Sequence, residues 1–251
     1  MRDRYLNLSA YRFVELADAA ALCPSLHATA QAAGLRGTVI VAHEGINLFL
    51  AGEEQALRSW LAALCADPRF AALDVKESWS KQQPFRFLRV KVKREIIRMN
   101  QPQVQPAAGR APAVDAATLA RWLDQGHDDD GREVLMLDTR NAFELEHGAF
   151  DGALDWHLSK FSDFPAALAA RRDELKDRTV VTYCTGGIRC EKAALAMRDA
   201  GVANVWQLDG GILRYLETMS DAPHWRGRCF VFDERLSLDI RLDPQLQGVA
   251  K

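Results

Sequence analysis

Apolar and polar positions in the first hundred residues follow two rhythms, one typical of strands and one typical of helices. Alternating or β-branched runs predict strands, whereas apolar residues three or four positions apart predict helices. The predicted strands of this region are Tyr5–Phe13, Arg36–Ala42, Ile46–Ala51 and Phe87–Lys93. The predicted helices are Asp18–Ala33 and Glu53–Ala66. The order βαββαβ indicates an α+β ferredoxin-like domain with two helices on one face of an antiparallel sheet.

Past residue 114 the pattern changes to short apolar strands that alternate with helices. Asp115 is predicted to cap a helix, Ala116–Gln125, that stops at Gly126. The later strands are predicted at Val134–Leu137, Ala153–Trp156, Thr179–Tyr183 and Asn204–Leu208. The later helices are predicted at Asn141–Glu146, Asp163–Leu175, Glu191 to Gly201 and Gly210–Met219. This alternation predicts an α/β domain with a parallel sheet, whose ligands bind at the carboxyl ends of the strands.

These patterns predict four regions. Residues 1–98 form the ferredoxin-like domain and residues 114–220 the α/β domain, with a C-terminal tail segment at 221–251. Residues 99–113 are predicted to be a linker, because three prolines, one glycine and three glutamines fall between residues 99 and 112. The acidic run Asp128 to Asp130 is predicted to be a solvated loop.

Composition narrows the class of protein. The chain has 251 residues, enough for two modest domains, and its formal charge of −2 argues neither for nor against nucleic acid. No apolar run approaches the roughly 20 residues of a membrane helix, and the charged N-terminus does not resemble a signal peptide, so we expect a cytoplasmic protein with no membrane partner. Five cysteines without a Cys-x-x-Cys pair argue against a disulfide framework or zinc site, and no cofactor site is evident.

Positive charge is concentrated in one segment of the first domain. Between Lys76 and Arg98 there are eight basic and two acidic residues, a local charge of +6 that leaves −8 for the remainder. Alternation along the predicted strand places Arg89, Lys91 and Lys93 on one face. This stripe is interpreted as an RNA-backbone contact or as a solvated strand face whose lysines oppose edge pairing.

The chemistry is predicted to centre on the loop Cys184 to Arg189, which joins a buried strand to a helix. Gly186 and Gly187 allow positive φ, so that successive N–H groups point at the Cys184 sulfur. The loop also includes Thr185 and Ile188. Its amides, the helix dipole and Arg189 should lower the thiol pKa below its ordinary value of about 8.5.

Loop size indicates what the sulfur could carry. Four residues separate Cys184 from Arg189, one fewer than in the Cys-x5-Arg loop with which cysteine phosphatases enclose a phosphate group. A single extra atom, such as a persulfide sulfur, fits the smaller loop better. Cys184 is therefore the predicted nucleophile, and Cys190 lies beyond Arg189, where it could act as a resolving thiol.

Several strings resemble the rhodanese-related bacterial tRNA uridine hydroxylases. The match covers both domains and most of the chain. The strings are Gly37-Thr38-Val39-Ile40, Glu44-Gly45-Ile46-Asn47, Asp67-Pro68-Arg69-Phe70, Asp138-Thr139-Arg140-Asn141, Tyr183 to Ala193, Gly210 to Glu217 and Cys229-Phe230-Val231-Phe232-Asp233. Asn47-Leu48-Phe49-Leu50 and Trp156 to Phe161 depart from the family pattern, and many relatives continue into a cysteine-rich extension that this sequence does not contain.

The resemblance implies a function. Members of this family convert the wobble uridine of tRNA, position 34, to 5-hydroxyuridine with molecular oxygen, which requires an electron donor that remains unidentified. The resemblance also implies a rhodanese fold in which the strand that ends at Asp138 and Arg140 lies beside the strand that ends at Cys184. The pair would then support the loop; the alternative is an ordinary ion pair at a strand end.

Two other functions remain open. A sulfurtransferase would form a persulfide on Cys184 and pass the sulfur to an acceptor, with a sulfur-donor protein or a small thiol as partner. A non-catalytic RNA-binding module would retain the loop as a remnant. The intact cysteine and arginine argue against this last alternative.

Overall fold

Two five-stranded sheets dominate the computed structural model, which describes residues 5–244. Each sheet belongs to its own compact unit. One unit extends to Ile97 and also includes Phe232–Leu236, while the other comprises Arg98–Val231 and Ser237–Leu242. Among the described residues, no helix combines the length and the apolar character that a bilayer span needs.

The first unit is an α+β domain, as the sequence predicts. Its elements are β1 (Tyr5–Phe13), α1 (Ala19–Ala32), β2 (Arg36–Ala42), β3 (Gly45–Gly52), α2 (Glu54–Cys65), β4 (Asp74–Ser80) and β5 (Leu88–Val92). The strand order is β4-β1-β3-β2-β5, with antiparallel neighbours except for the parallel pair β2 and β5.

The sequence prediction omits one strand of this sheet. Residues 74–80, which were not predicted to form a strand, pair with β1, whereas the predicted last strand is a fifth strand at the opposite edge. β4 was missed because it is an edge strand with polar side chains on both faces, so that its alternation is weak. Even Lys76 is buried there, paired with Asp74 at 2.5 Å.

One face of this sheet holds the core. Leu6, Leu8 and Ala10 alternate along β1 and are buried, and they belong to the same cluster as Leu57 and Trp60 from α2. The spacing of these positions follows the period of two for a strand and the period of 3.6 for a helix. Packing of the two apolar faces therefore fixes which side of the sheet the helices cover.

A late segment of the chain completes the first unit. Arg235 donates from Nη1 to the Ser78 Oγ at 2.7 Å, and Glu234 donates its backbone N–H to the carbonyl of Pro84 at 3.0 Å. Arg86 and Glu234 also form an ion pair at 2.5 Å. Residues from positions 78 to 86 are thus held by residues about 150 positions later in the chain.

The second unit is an α/β domain built on a fully parallel sheet. Its strands and helices are β6 (Ala113–Val114), α3 (Ala116–Gln125), β7 (Val134–Asp138), α4 (Ala142–Leu145), β8 (Gly148–Phe150), β9 (Leu154–Asp155), α5 (Phe164–Arg171), β10 (Thr179–Tyr183), α6 (Ile188–Asp199), β11 (Val205–Leu208), α7 (Gly211–Thr218), β12 (Trp225–Gly227), β13 (Cys229–Phe230) and β14 (Ser237–Leu238). The strand order β6-β11-β10-β7-β9 confirms the predicted parallel sheet and puts β10 at its centre.

Local signals account for most of these boundaries. The Asp115 carboxylate accepts the N–H of Thr118 at 2.9 Å, and Gly126 ends α3 with a φ of 77°. The helix α6 begins at Ile188, three residues before the predicted start at Glu191. Arg189 and Cys190 therefore lie in its first turn rather than in a loop.

Two polar segments are more buried than the sequence suggests. Residues 99–112 contain neither helix nor strand, yet Met99 and Val104 are buried. The prediction of a solvated acidic loop is wrong for Asp128, which is 4% exposed. Its carboxylate accepts the backbone N–H groups of Asp130 and Arg132 and the hydroxyl of Thr179, and these bonds compensate for its burial.

Candidate active site

The Cys184 loop lies at the carboxyl end of β10, between this strand and α6. Cys184 is completely buried, and its sulfur accepts the N–H of Gly187 at 3.2 Å. Gly187 has a φ of 94°, which turns its N–H toward the sulfur, a conformation that suits glycine. The backbone thus places a hydrogen-bond donor against the thiol at a helix N-terminus.

The environment of Cys184 favours the thiolate. Burial raises the thiol pKa, but a hydrogen bond from the Cys190 thiol, the charge of Arg189 and the backbone N–H groups of Arg189 and Cys190 lower it more. The net effect is a pKa well below that of an ordinary cysteine. By contrast, burial raises the pKa of Cys229 to about 12, so that this neighbouring thiol stays protonated.

Arg189 is held by a buried carboxylate. Its Nη1 and Nη2 donate to Oε1 and Oε2 of Glu144 at 2.5 and 2.8 Å, and both side chains are at most 5% exposed. Burial lowers the pKa of Arg189, but Glu144 and Cys184 raise it above the ordinary value, which keeps the guanidinium charged beside the sulfur. Arg189 is therefore held in place by a two-pronged ion pair with Glu144.

The loop carbonyls bind a different element. Ile212 donates its N–H to the Cys184 carbonyl at 2.9 Å, and Leu213 donates to the Thr185 carbonyl at 3.0 Å. Both donors lie in the first turn of α7, where backbone N–H groups lack partners within the helix. A Cβ atom on Gly211 would fall 2.4 Å from the Cys184 carbonyl oxygen, so only glycine permits this approach.

Asp138 and Arg140 form a buried ion pair beside the loop. The Arg140 guanidinium donates to Asp138 Oδ2 at 2.6 Å, and both side chains are fully buried. Arg140 also donates to the carbonyl oxygens of Gly148 and Glu144, at 2.7 and 3.4 Å. The pair thus fixes the backbone of α4 that carries Glu144.

Thr139 connects the same motif to the cysteine strand. Its hydroxyl donates to the Tyr183 carbonyl at 2.9 Å and lies 3.7 Å from the Cys190 sulfur. Burial and the neighbouring Cys184 raise the pKa of Cys190 well above its ordinary value. Cys190 is therefore a neutral hydrogen-bond donor to the Cys184 thiolate. It lies closer to Cys184 than its place after Arg189 in the sequence suggested. The role of Cys190 as a resolving thiol stays a prediction.

Glu144 is a site residue that the sequence reasoning missed. Besides Arg189, it accepts the Asn141 N–H at 3.0 Å and the Thr185 hydroxyl at 3.3 Å. A signal existed, because Asn141 and Glu144 have the spacing of a capping box, three residues apart at a helix start. A buried arginine also requires a carboxylate, which the loop itself does not contain.

The basic stripe lies in the first unit. Arg89, Lys91 and Lys93 are exposed on or next to the edge strand β5, whereas Leu88 and Val90 pack against the core. None of the three basic side chains forms an ion pair with another residue in the range 5–244. The predicted separation of charged and apolar faces is therefore present.

Among the described residues of the second unit, the Cys184 thiolate is the strong nucleophile. Within residues 5–244, no group of three or more His, Cys, Asp or Glu side chains is arranged to hold a metal ion. A thiolate beside a fixed positive charge and convergent N–H groups can attack an electrophilic atom and then carry it. The site is thus suited to covalent catalysis.

Comparison with known sequences decides the family. The UPF0176 acylphosphatase like domain matches residues 5–96, and the rhodanese-like domain matches residues 116–218. A tRNA uridine(34) hydroxylase of Variovorax paradoxus is 60% identical over 93% of this chain and 88% of its own length. The chain belongs to the tRNA uridine(34) hydroxylase family. Both the α+β domain and the rhodanese-type α/β domain predicted from the sequence are thereby confirmed.

Other tRNA uridine(34) hydroxylases have a similar sequence identity to this chain over a similar length. The protein of Delftia acidovorans is 58% identical over 95% of this chain and 91% of its own, and that of Bordetella avium is 56% identical over 95% and 98%. Among solved structures, a rhodanese-like domain from Anabaena sp. has 21% identity and a TM-score of 0.37, covering 47% of this chain and 80% of that chain.

Proposed function

We propose that this protein hydroxylates carbon 5 of the uridine at position 34 of tRNA and that Cys184 is its reactive group. The observation that carries the proposal is the 60% identity with a tRNA uridine(34) hydroxylase over nearly the whole chain. The geometry supports it through a buried thiolate whose pKa is lowered by Arg189 and the loop amides. Because tRNA is the substrate, the activity belongs in the cytoplasm.

The reaction uses molecular oxygen and an external electron donor. One oxygen atom enters the C5–H bond of the uracil ring, and the other leaves as water after taking up two electrons and two protons. Cys184 is the nucleophile that the site offers to the reacting group. Arg189, Asp138 and Arg140 position it, together with the loop residues and Cys190.

The stripe of Arg89, Lys91 and Lys93 supplies the tRNA backbone contact in this proposal. All three side chains are exposed, and none is neutralised by an ion pair with another residue of the described range. Unpaired cations at regular spacing on a strand suit phosphate groups better than they suit a purely solvated face.

Mass spectrometry of tRNA nucleosides tests the proposal. Cells that lack their own route to 5-hydroxyuridine should produce it when they express the wild-type protein, and should lose it with Cys184→Ser. Cys65→Ser is the matched control, because this half-buried cysteine belongs to the first unit, whereas the loop belongs to the second. Equal amounts of 5-hydroxyuridine from wild type and Cys184→Ser would overturn the assignment.

Sulfur transfer is the second candidate, favoured by the match to the rhodanese-like domain. In this function, the Cys184 thiolate attacks the outer sulfur of thiosulfate, or of a persulfide on a donor protein or a small thiol, and sulfite or the donor's thiolate leaves. The Gly187 N–H, which already contacts the Cys184 sulfur, would bind the resulting persulfide. Thiosulfate:cyanide transfer should disappear in Cys184→Ser and persist in Cys190→Ser. If the wild-type protein shows neither 5-hydroxyuridine formation nor sulfur transfer, it is a non-catalytic RNA-binding module.

A further inference from the structure

The side chain of Phe87 is unusually exposed to solvent. It is 65% exposed, more than any other large apolar side chain among residues 5–244, and Val92, Phe232 and Leu236 follow at 46%. An exposed aromatic side chain is common when it stands alone, but it indicates a binding surface when charged groups of one sign surround it.

Phe87 lies in line with the basic stripe. Arg89 and Lys91 are two residues apart in β5 and share one face of it, while Phe87 directly precedes this strand and Lys93 directly follows it. The guanidinium carbon of Arg89 lies 6.0 Å from the centre of the Phe87 ring. The face therefore presents an aromatic ring followed by three positive charges, about 6.6 Å apart along the chain.

The backbone that carries this face is fixed at both ends. Gly37 donates its N–H to the Phe87 carbonyl at 2.9 Å, and Lys93 donates its N–H to the Val41 carbonyl at 2.9 Å. On the opposite face, Leu88 packs against the core of the first unit. The backbone at Phe87 is therefore already fixed, so that only the side-chain torsions of the ring need ordering when a ligand stacks on it.

We propose that Phe87 stacks on an unpaired base of RNA while Arg89, Lys91 and Lys93 bind the phosphates that follow it. This inference rests on the proposed function, since it specifies how the tRNA is held. The partner is a single-stranded or loop segment, because bases within a duplex are already stacked and do not present a free face. The dense positive charge of the stripe selects a polyanion over an apolar protein surface.

Fluorescence anisotropy with two labelled probes tests this proposal on the full chain. The probes are a single-stranded 12-nucleotide oligoadenylate RNA and a fully paired RNA duplex of the same length. The variants Phe87→Ala and Phe87→Leu should weaken single-strand binding about tenfold or more, whereas Phe87→Trp should bind as tightly as wild type. Duplex affinity should change less than twofold, because the phosphate contacts remain.

Val92→Ala is the matched control, since Val92 is exposed but lies on the other face of the strand. It should bind both probes like wild type. The proposal is overturned if Phe87→Leu binds the single strand as well as wild type, if Phe87→Ala weakens both probes equally, or if the wild-type protein does not bind the single strand. Nucleoside analysis of Cys184→Ser tests hydroxylation separately, so either result can fail without the other.

Discussion

Three kinds of contact stabilise the Cys184 thiolate. Gly187 donates a backbone N–H, Cys190 donates its thiol, and Arg189 contributes a full positive charge. Together they outweigh the cost of burial, which alone would keep the thiol protonated. The position of the positive charge depends on a further residue, because Arg189 is itself held by Glu144.

Arg189→Lys should lose most of the activity, at least about tenfold, while the protein stays folded. An ammonium group cannot donate to both oxygens of Glu144 and face Cys184 at the same time. The thiolate pKa should therefore rise toward the ordinary value. Ultraviolet absorbance of the thiolate against pH, taken as the difference between each protein and its Cys184→Ser variant, measures this shift. An unchanged inflection would show that the guanidinium is not needed.

Glu144→Gln should destabilise the protein by about 3 kcal/mol at pH 7, because Arg189 would remain buried without its counter-charge. Burial raises the pKa of Glu144, but Arg189 lowers it more, so the folded-state pKa is below the unfolded one. The carboxylate therefore adds stability above its ordinary pKa of about 4.3, and this contribution is lost as pH falls through the lowered value.

Urea unfolding at several pH values between 7 and 3 measures this contribution. Wild type should lose free energy of unfolding at low pH, and Glu144→Gln should show a smaller acid-dependent loss. Glu146→Gln is the control, because Glu146 is exposed at the end of the same helix. Parallel pH profiles for wild type and Glu144→Gln would contradict the assignment.

The two residues that are proposed to carry the chemistry could be placed near each other from the sequence, whereas the residues that hold them could not. Cys184 and Arg189 lie in one contiguous loop, so their proximity follows from the sequence alone. Glu144 and Ile212 reach the same loop from helices that are 40 positions before and 28 positions after Cys184. Such contacts depend on strand order, which a local pattern does not determine.

At the scale of elements, α7 binds the carbonyl side of the loop while the start of α6 binds the sulfur side. The loop is therefore enclosed between two helix N-termini, each supplying N–H groups that its own helix cannot use. Gly211 makes this arrangement possible, since its φ of 67° and its missing Cβ let α7 approach the Cys184 carbonyl.

Gly211→Ala should displace the loop and lower both stability and activity. The new methyl group would meet the Cys184 carbonyl oxygen at 2.4 Å, in addition to the strain of a positive φ. Gly201→Ala is a close control, because Gly201 has a φ of 86° but no atom lies within 4 Å of the place that an added Cβ would occupy. It should cost only about 1 kcal/mol and leave the thiolate inflection unchanged. Equal effects of the two substitutions would show that backbone strain alone matters.

Replacing Arg89, Lys91 and Lys93 together with alanine should flatten the salt dependence of tRNA affinity. Each phosphate contact releases about one counterion, so the slope of log affinity against log salt should fall by roughly two to three. The control removes three exposed charges from the second unit, in Arg171→Ala, Lys176→Ala and Arg198→Ala. Identical slopes for wild type and the β5 variant would show that the stripe is only solvated.

The two edge strands of the first sheet show the limit of pattern-based assignment. In β5, the two charged positions Arg89 and Lys91 alternate with apolar ones, so the strand is evident in the sequence. In β4, Lys76 and Glu77 are adjacent, and the polar side chains occupy both faces. The sequence therefore predicts the class of the domain and its last strand correctly but omits β4.

At the scale of the whole molecule, a formal charge of −2 conceals a strong separation. A charge of +6 lies between residues 76 and 98, and −8 is spread over the rest of the chain. Such a distribution lets a protein of ordinary isoelectric point attract a polyanion to one region while remaining soluble elsewhere. The sum of charges therefore says little about whether this family binds RNA.

The contribution of Phe232–Leu236 to the first unit has a consequence for biosynthesis. The ribosome makes β1 to β5 first, but Ser78, Pro84 and Arg86 acquire their partners only when Glu234 and Arg235 emerge, about 150 residues later. At about 5 to 20 residues per second, this delay lasts roughly 10 to 30 seconds. The nascent first unit therefore waits with these groups hydrated, and it acquires Phe232–Leu236 only after residues 98–231 of the second unit have been synthesised.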